Sequence, residues 1–203
     1  MSKIKLTKNE LKKQKESLQR YTRFLPTLQL KKRQLQFELV KIRQAEEDAE
    51  REMKSLDEEV YSWIDVFAED AGLQNMFRVE KVVSKEGNIA GVDIPVLERV
   101  EFKKYEYDFM RTPVWIDRGL EALKKTTLLW IKVSFIKKQK EILADELRIT
   151  SQRVNLFEKV KIPEAKEDIR VINIYLGDLQ TAEVVRGKIA KKKINQSAKF
   201  SLV

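Results

Sequence analysis

Taken in steps of seven from Ile4, apolar residues recur along the first third of the chain on two interleaved tracks. The first holds Ile4, Leu11, Leu18, Leu25, Leu39, Met53, Val60 and Phe67, and the second holds Tyr21, Leu28, Leu35, Ile42, Ala49, Leu56 and Trp63. Only Thr7, Gln14, Lys32 and Glu46 break the pattern, so the spacing predicts one long helix with a coiled-coil seam rather than a surface helix of a globular domain. From Asn9 to Asp70 such a helix would be roughly 90 Å long at its usual rise. Thr7 and Glu10 are spaced as a capping box at its start. Pro26 lies inside it, and because the seam keeps its phase there, a bend rather than a break is expected.

After Ala71-Gly72 the period changes. Phe77 to Val83 is short and β-branched, Lys85 to Asn88 supplies turn chemistry, and Ile89 to Ile94 reads as a returning strand, which together predict a hairpin. Pro95 is expected to interrupt it, leaving Val96 to Phe109 as a further strand or an extended arm. A head this small is expected to pack against the helices. Thr112-Pro113 then marks a helix entry. The next seam runs through Leu129, Val133, Ile136, Leu143, Leu147, Val154 and Phe157, with Lys140 and Thr150 as its polar members. Near Pro163 the phase slips, and the better track becomes Ile162, Ala165, Ile169, Ile172, Leu176 and Leu179.

The expected fold is therefore mainly α: a long antiparallel two-helix coiled coil with a small β-hairpin-containing head between the helices. As one structural unit it would comprise an N-terminal helix (1–71), a hairpin head (72–112), a C-terminal helix (113–194) and a tail (195–203). Pairing Glu46 with Lys140, or Pro26 with Pro163, sets facing residue numbers that sum to about 186 to 189. Folding back in this way would bring the chain ends together and leave the hairpin at the far end.

Composition narrows the chemistry. The 203 residues include no Cys and no His, which excludes thiolate or imidazole metal sites, cysteine nucleophiles and Ser-His-Asp triads. Gly187-Lys188 lacks the spacing of a phosphate-binding loop, and no cofactor is expected. The acids Glu46, Glu47, Asp48, Glu50 and Glu52 are scattered around a helix and read as solvated surface. No apolar stretch approaches a membrane span, and a cytoplasmic location is expected.

Charge is polarised along the chain. Residues 1–43 hold thirteen cations against three acids, residues 44–70 hold eleven acids against Arg51 and Lys54, and from Val185 onward there are six cations and no acid. Lys3, Lys5, Lys8, Arg186, Lys188, Lys191, Lys192 and Lys193 are the candidate contacts of a basic tip with a partner. Trp63, Trp115 and Trp130 suit packing positions, although an exposed tryptophan would be a partner contact. A cytoplasmic coiled-coil scaffold and a basic nucleic-acid-binding coiled coil are the alternatives; the second lacks any base-reading module.

Three stretches carry a resemblance. Leu-Thr-Lys-Asn-Glu-Leu at 6–11, Leu-Lys-Lys-Arg-Gln-Leu at 30–35 and Arg-Val-Asn-Leu-Phe-Glu-Lys-Val-Lys-Ile-Pro at 153–163 are similar to segments of the D subunit of the V-type (also called A-type) rotary ATPase and ATP synthase. Leu156 and Phe157 replace the Ala-Leu of the family's Arg-Val-Asn-Ala-Leu-Glu segment, and residues 175–188 depart from the commoner members. The resemblance implies a non-catalytic central-stalk shaft whose termini enter the ring of the nucleotide-binding A and B subunits. It further implies that the F subunit of the central stalk docks on its side and that a funnel-shaped protein, the C or d subunit, joins it to the membrane ring. Rotation of an asymmetric shaft would then couple ATP hydrolysis or synthesis to ion translocation. The chain itself would bind no nucleic acid, span no membrane, and be peripheral to the membrane through the complex.

Overall fold

The computed structural model describes residues 4–63, 76–103 and 113–200, the side chains of 196–200 apart. Helix α1 spans Lys8–Tyr61, strands β1 and β2 span Val79–Ile89 and Val92–Phe102, helix α2 spans Ile116–Leu156, a π-helical turn covers Phe157–Lys161, and helix α3 spans Ile162–Phe200. Phe67, Asp70, Ala71, Gly72, Phe109, Thr112 and Lys3, all named above, lie outside the described residues. The chain divides into two compact units, Met1–Leu30 with Ser151–Val203, and Lys31–Thr150.

In the Lys31–Thr150 unit the heptad seam is realised as expected. Leu35, Leu39, Ile42, Glu46 and Ala49 are the buried positions of α1, and Leu129, Val133, Leu143 and Thr150 are buried on α2. Each burial of a Leu or Ile contributes roughly 1.5–3 kcal/mol, which offsets the ordering entropy of helices with no globular core around them. The helices are antiparallel. Glu46 takes both of its oxygens to Lys140 Nζ, at 2.8 and 2.5 Å. Lys31 reaches Glu146 at 2.7 Å, Lys137 reaches Glu50 at 3.0 Å and Lys132 reaches Glu52 at 3.6 Å. The Glu46–Lys140 half of the expected register is thus present.

The hairpin differs from expectation in two respects. Its strands run to Ile89 and from Val92, so the turn is Ala90-Gly91 rather than Lys85–Asn88. Both turn residues have positive φ, 53° and 74°, the conformation of a two-residue turn whose twist matches that of the strands. Asn88 fixes it by accepting from the Gly91 amide and donating to Asp93. Second, Pro95 does not interrupt β2. Its carbonyl accepts from Gln139 Nε2 at 2.6 Å, so that side of the residue faces α2 and the missing N–H is not needed by β1.

The hairpin packs against the helices, as its small size predicts, but along them rather than at their far end. Ile94 is buried with Leu35, Leu39, Ile42 and Leu143, and Ile89, Ala90, Val92 and Val96 pack around them. A two-stranded sheet cannot bury its own face, so it lies along α1 and α2 to do so. Gly87 shares that face, opposite Ile94; a Cβ there would sit 2.7 Å from the Val96 side chain.

In the other unit Thr7 caps α1, its hydroxyl accepting from the Glu10 amide at 3.3 Å. The helix passes through Pro26 at an exposed stretch; Thr22, whose carbonyl loses its usual donor there, is exposed as well. The rings of Tyr21 and Phe157 meet at a tilt of 44° with centroids 5.2 Å apart. That contact, with Glu164 and Ala165 lining one cleft with Gln14 and Ser17, sets a different pairing here from the expected Pro26 with Pro163. The slip in the second seam has a structural form. The π turn accommodates one residue more than an α turn, and after it Ala165 and Ile172 return to the buried side.

Candidate partner-binding surfaces

The candidate contact residues fall into two groups in the unit formed by Met1–Leu30 and Ser151–Val203. Lys5 lines a cleft of about 480 Å³ with Glu10, Lys13, Tyr21, Lys161, Glu164 and Asp168, and Lys8 opens α1 as an exposed residue. Gln14, a polar exception in the first seam, also lines the cleft. Its charges are mixed. Lys161 is held protonated by its hydrogen bond to Glu164 at 2.9 Å. Burial, reinforced by Glu164, Glu167 and Glu10, raises the Asp168 carboxyl above the ordinary aspartate range.

The second group lies farther along α3. Arg186, Lys188, Lys191, Lys192 and Lys193 are all exposed. At the α-helical rise, Arg186 stands roughly 27 Å beyond Asp168, which shares the cleft with Lys5. The two basic ends therefore adjoin but are not superimposed, because α3 outruns the start of α1. This separation was not legible in the charge pattern, which counts residues without fixing how far each helix extends.

The long overhang explains a second feature. From Gly177 to Asn195 every residue of α3 except Ala182 is exposed, including Val184, Val185, Ile189 and Ile194. The apolar spacing after Leu179 continues past the reach of the helix that α3 packs against. In the Lys31–Thr150 unit, Trp130 is 68% exposed, beside a hollow of about 260 Å³ lined by Met53, Val133, Ser134 and Lys137. An indole left in water on a helix pair that buries its leucines is suited to anchoring a partner. No helix among the described residues is long and apolar enough to cross a membrane.

Comparison with known proteins agrees with this architecture. The family model for the D subunit of ATP synthase matches residues 10–192. The chain is similar to the V-type ATP synthase D subunit of Borreliella burgdorferi, with 50% identity over 202 residues covering all of both chains. It is 36% identical to that of Chlamydia caviae over 199 residues, 96% of this chain and 95% of the relative. To that of Chlamydia trachomatis serovar L2 it is 37% identical over 200 residues, 96% and 98% of the two chains. A match across almost the whole sequence, on a paired-helix scaffold with a hairpin between its long helices, places this chain in the ATP synthase D-subunit family.

Proposed function

We propose that this chain is the non-catalytic central rotor shaft of a V/A-type rotary ATPase. In this role it couples ATP hydrolysis or synthesis in the nucleotide-binding ring to ion translocation by rotation. The observation that carries this reading is the continuation of α3 past its helical partner into an exposed segment that is both apolar and cationic. A helix with this surface is built to be received by another protein.

In the assembled enzyme Lys5, Lys8, Arg186, Lys188, Lys191, Lys192 and Lys193 contact the ring of A and B subunits, as does Lys3. The F subunit of the central stalk and the funnel-shaped C or d subunit bind elsewhere on the shaft, and Trp130 is a contact for one of them. Torque passes through paired helices whose interhelical ion pairs, Glu46–Lys140 and Glu50–Lys137, resist sliding of one helix past the other. The shaft binds no cofactor and no nucleic acid, and it is cytoplasmic and peripheral to the membrane through its partners.

The test is a tagged pull-down from source cells in mild detergent, with the co-purifying chains identified and ATPase activity assayed in the eluate. Recovery of nucleotide-binding subunits with activity is expected. Recovery of nucleic acid, or of this chain alone while ATPase activity stays in the lysate, overturns the proposal.

A further inference from the structure

We propose that α3 seats either of two neighbouring faces against α1, and that the π turn at Phe157–Lys161 is the switch between them. Rewinding that turn to α geometry would rotate α3 by about 100° and advance it by about 1.5 Å. The inference stands apart from the rotor reading, since it concerns only the unit formed by Met1–Leu30 and Ser151–Val203.

The first observation lies in the sequence. The seam of α2 reaches Thr150, Val154 and Phe157 in steps of four and three, and the same steps lead on to Lys161, Glu164, Asp168, Val171 and Tyr175. The π turn moves the seam by one residue from each of these, onto Ile162, Ala165, Ile169, Ile172 and Leu176. Two tracks therefore lie side by side on α3. The one in use is apolar throughout and buries Ala165 and Ile172. The other begins with charged residues and ends in Val171 and Tyr175, exposed by 38% and 41%.

The second observation is geometric. Lys161, Glu164 and Asp168, the charged start of the unused track, all line the cleft of about 480 Å³, across from Glu10, Lys13 and Gln14. Room thus exists beside α1 on the side where the second face lies. The opposite wall suits that face. Gln14 is a polar member of the α1 seam, and Glu10 and Lys13 offer both signs of charge to Lys161, Glu164 and Asp168.

The third is the make-up of the turn. The Ile162 amide donates to the Phe157 carbonyl, and the flanking Leu156 and Ile162 keep ordinary right-handed helical angles, so a shift of each donor to the next carbonyl rewinds the turn. Pro163 follows at once and has no N–H, so no bond is broken at that residue when the register changes. Its ring opposes the rewound form, in which it would press on the carbonyl four residues earlier. Together with the burial of Ile172, this makes the present face the resting one and the second a minor state. The choice of face decides which side of the later turns of α3 a partner meets, so a partner that binds one orientation more tightly shifts the population toward it.

The chain has no Cys, so single cysteines report on the two faces without background. Labelling of the isolated full chain with N-ethylmaleimide is expected to be fast for Val171→Cys and slow for Ile172→Cys, in line with their exposure. Adding Pro163→Ala, Glu164→Leu, Asp168→Leu and Ile169→Gln removes the opposition of the proline, makes the second face apolar and weakens the first. In that background labelling should invert, becoming at least ~10-fold slower at position 171 and at least ~10-fold faster at position 172. A pattern like that of the parent overturns the inference. So does fast labelling at both positions, which would mean that α3 frays instead of turning. Should that background fail to fold by circular dichroism, deletion of Val160 with Pro163→Ala decides the matter, because it removes the residue that the π turn accommodates and leaves only the present face. Labelling of Ile172→Cys should then slow by at least ~10-fold relative to the parent, and an unchanged rate overturns the inference.

Discussion

Two carboxylates show how position decides the worth of a charge. Glu46 occupies a seam position and is buried, yet both of its oxygens meet Lys140. Replacing Lys140 with Ala strands that carboxylate, and the expected loss is about 2 kcal/mol. This is less than the ~3–5 kcal/mol of a fully buried pair, because the lysine side chain is 37% exposed and water screens the interaction. Replacing both residues with Leu should recover most of the loss, as urea unfolding of the two variants would reveal. Asp168 has the opposite sign. Burial and the neighbouring acids raise its folded pKa above the unfolded value of 3.8, so at pH values between the two the folded state binds more of that proton than the unfolded state does. Its contribution to stability is present below pH 3.8 and is lost as pH rises through the folded pKa. Asp168→Asn should therefore raise the melting temperature at pH 7 and flatten the decline that the parent shows above pH 3.8. An unchanged pH profile in the variant would remove Asp168 from this role.

At the level of elements, the π turn at Phe157–Lys161 is the structural answer to a slip of one residue in the apolar pattern. In a plain α-helix the extra residue would carry Ala165, Ile169 and Ile172 about 100° off the seam. Deleting exposed Val160 should thus restore an unbroken heptad phase. Combined with Pro163→Ala, which removes the clash that a proline makes with the preceding turn, the deletion should leave thermal stability at or above that of the parent. Deleting exposed Lys138 from α2, by contrast, should cause severe loss by thermal melting, since several seam residues would turn to solvent at ~1.5–3 kcal/mol each. If both deletions cost the same, the π turn is not a phase correction. This also shows why the seams were legible in sequence. Each buried position from Leu35 to Ala49, and from Leu129 to Val154, belongs to a repeat set by residues three or four apart, which is local information. The hairpin was less legible because Lys85–Asn88 and Pro95 resemble a turn and a stop, while the true turn depends on Asn88 reaching across to Gly91 and Asp93. Where the hairpin docks was hidden for a related reason: the burial of Ile94 against Leu35 and Leu143 joins residues distant in the chain.

Across the whole molecule, charge serves two separate ends. Within Lys31–Thr150 cations and acids of facing helices are matched, as in Lys31–Glu146, Glu46–Lys140 and Glu50–Lys137, and the matching fixes which residues face one another. Along the last turns of α3 the cations are exposed and have no such counterparts on a facing helix among the described residues, so under the proposed function their worth lies in association rather than folding. Changing Arg186, Lys188, Lys191, Lys192 and Lys193 together to Gln should leave the melting temperature of the isolated chain within about 1 °C, because exposed charges of this kind contribute little to stability. Reconstitution with the nucleotide-binding subunits should slow by ~10-fold or more at low salt, and the rate should lose most of its dependence on ionic strength, since steering by long-range charge is the part of association that salt screens. A parent whose association rate does not vary with salt would show that these cations do not steer the encounter. A variant that associates normally would leave the apolar residues between them, Val184, Val185 and Ile189, as the source of the affinity.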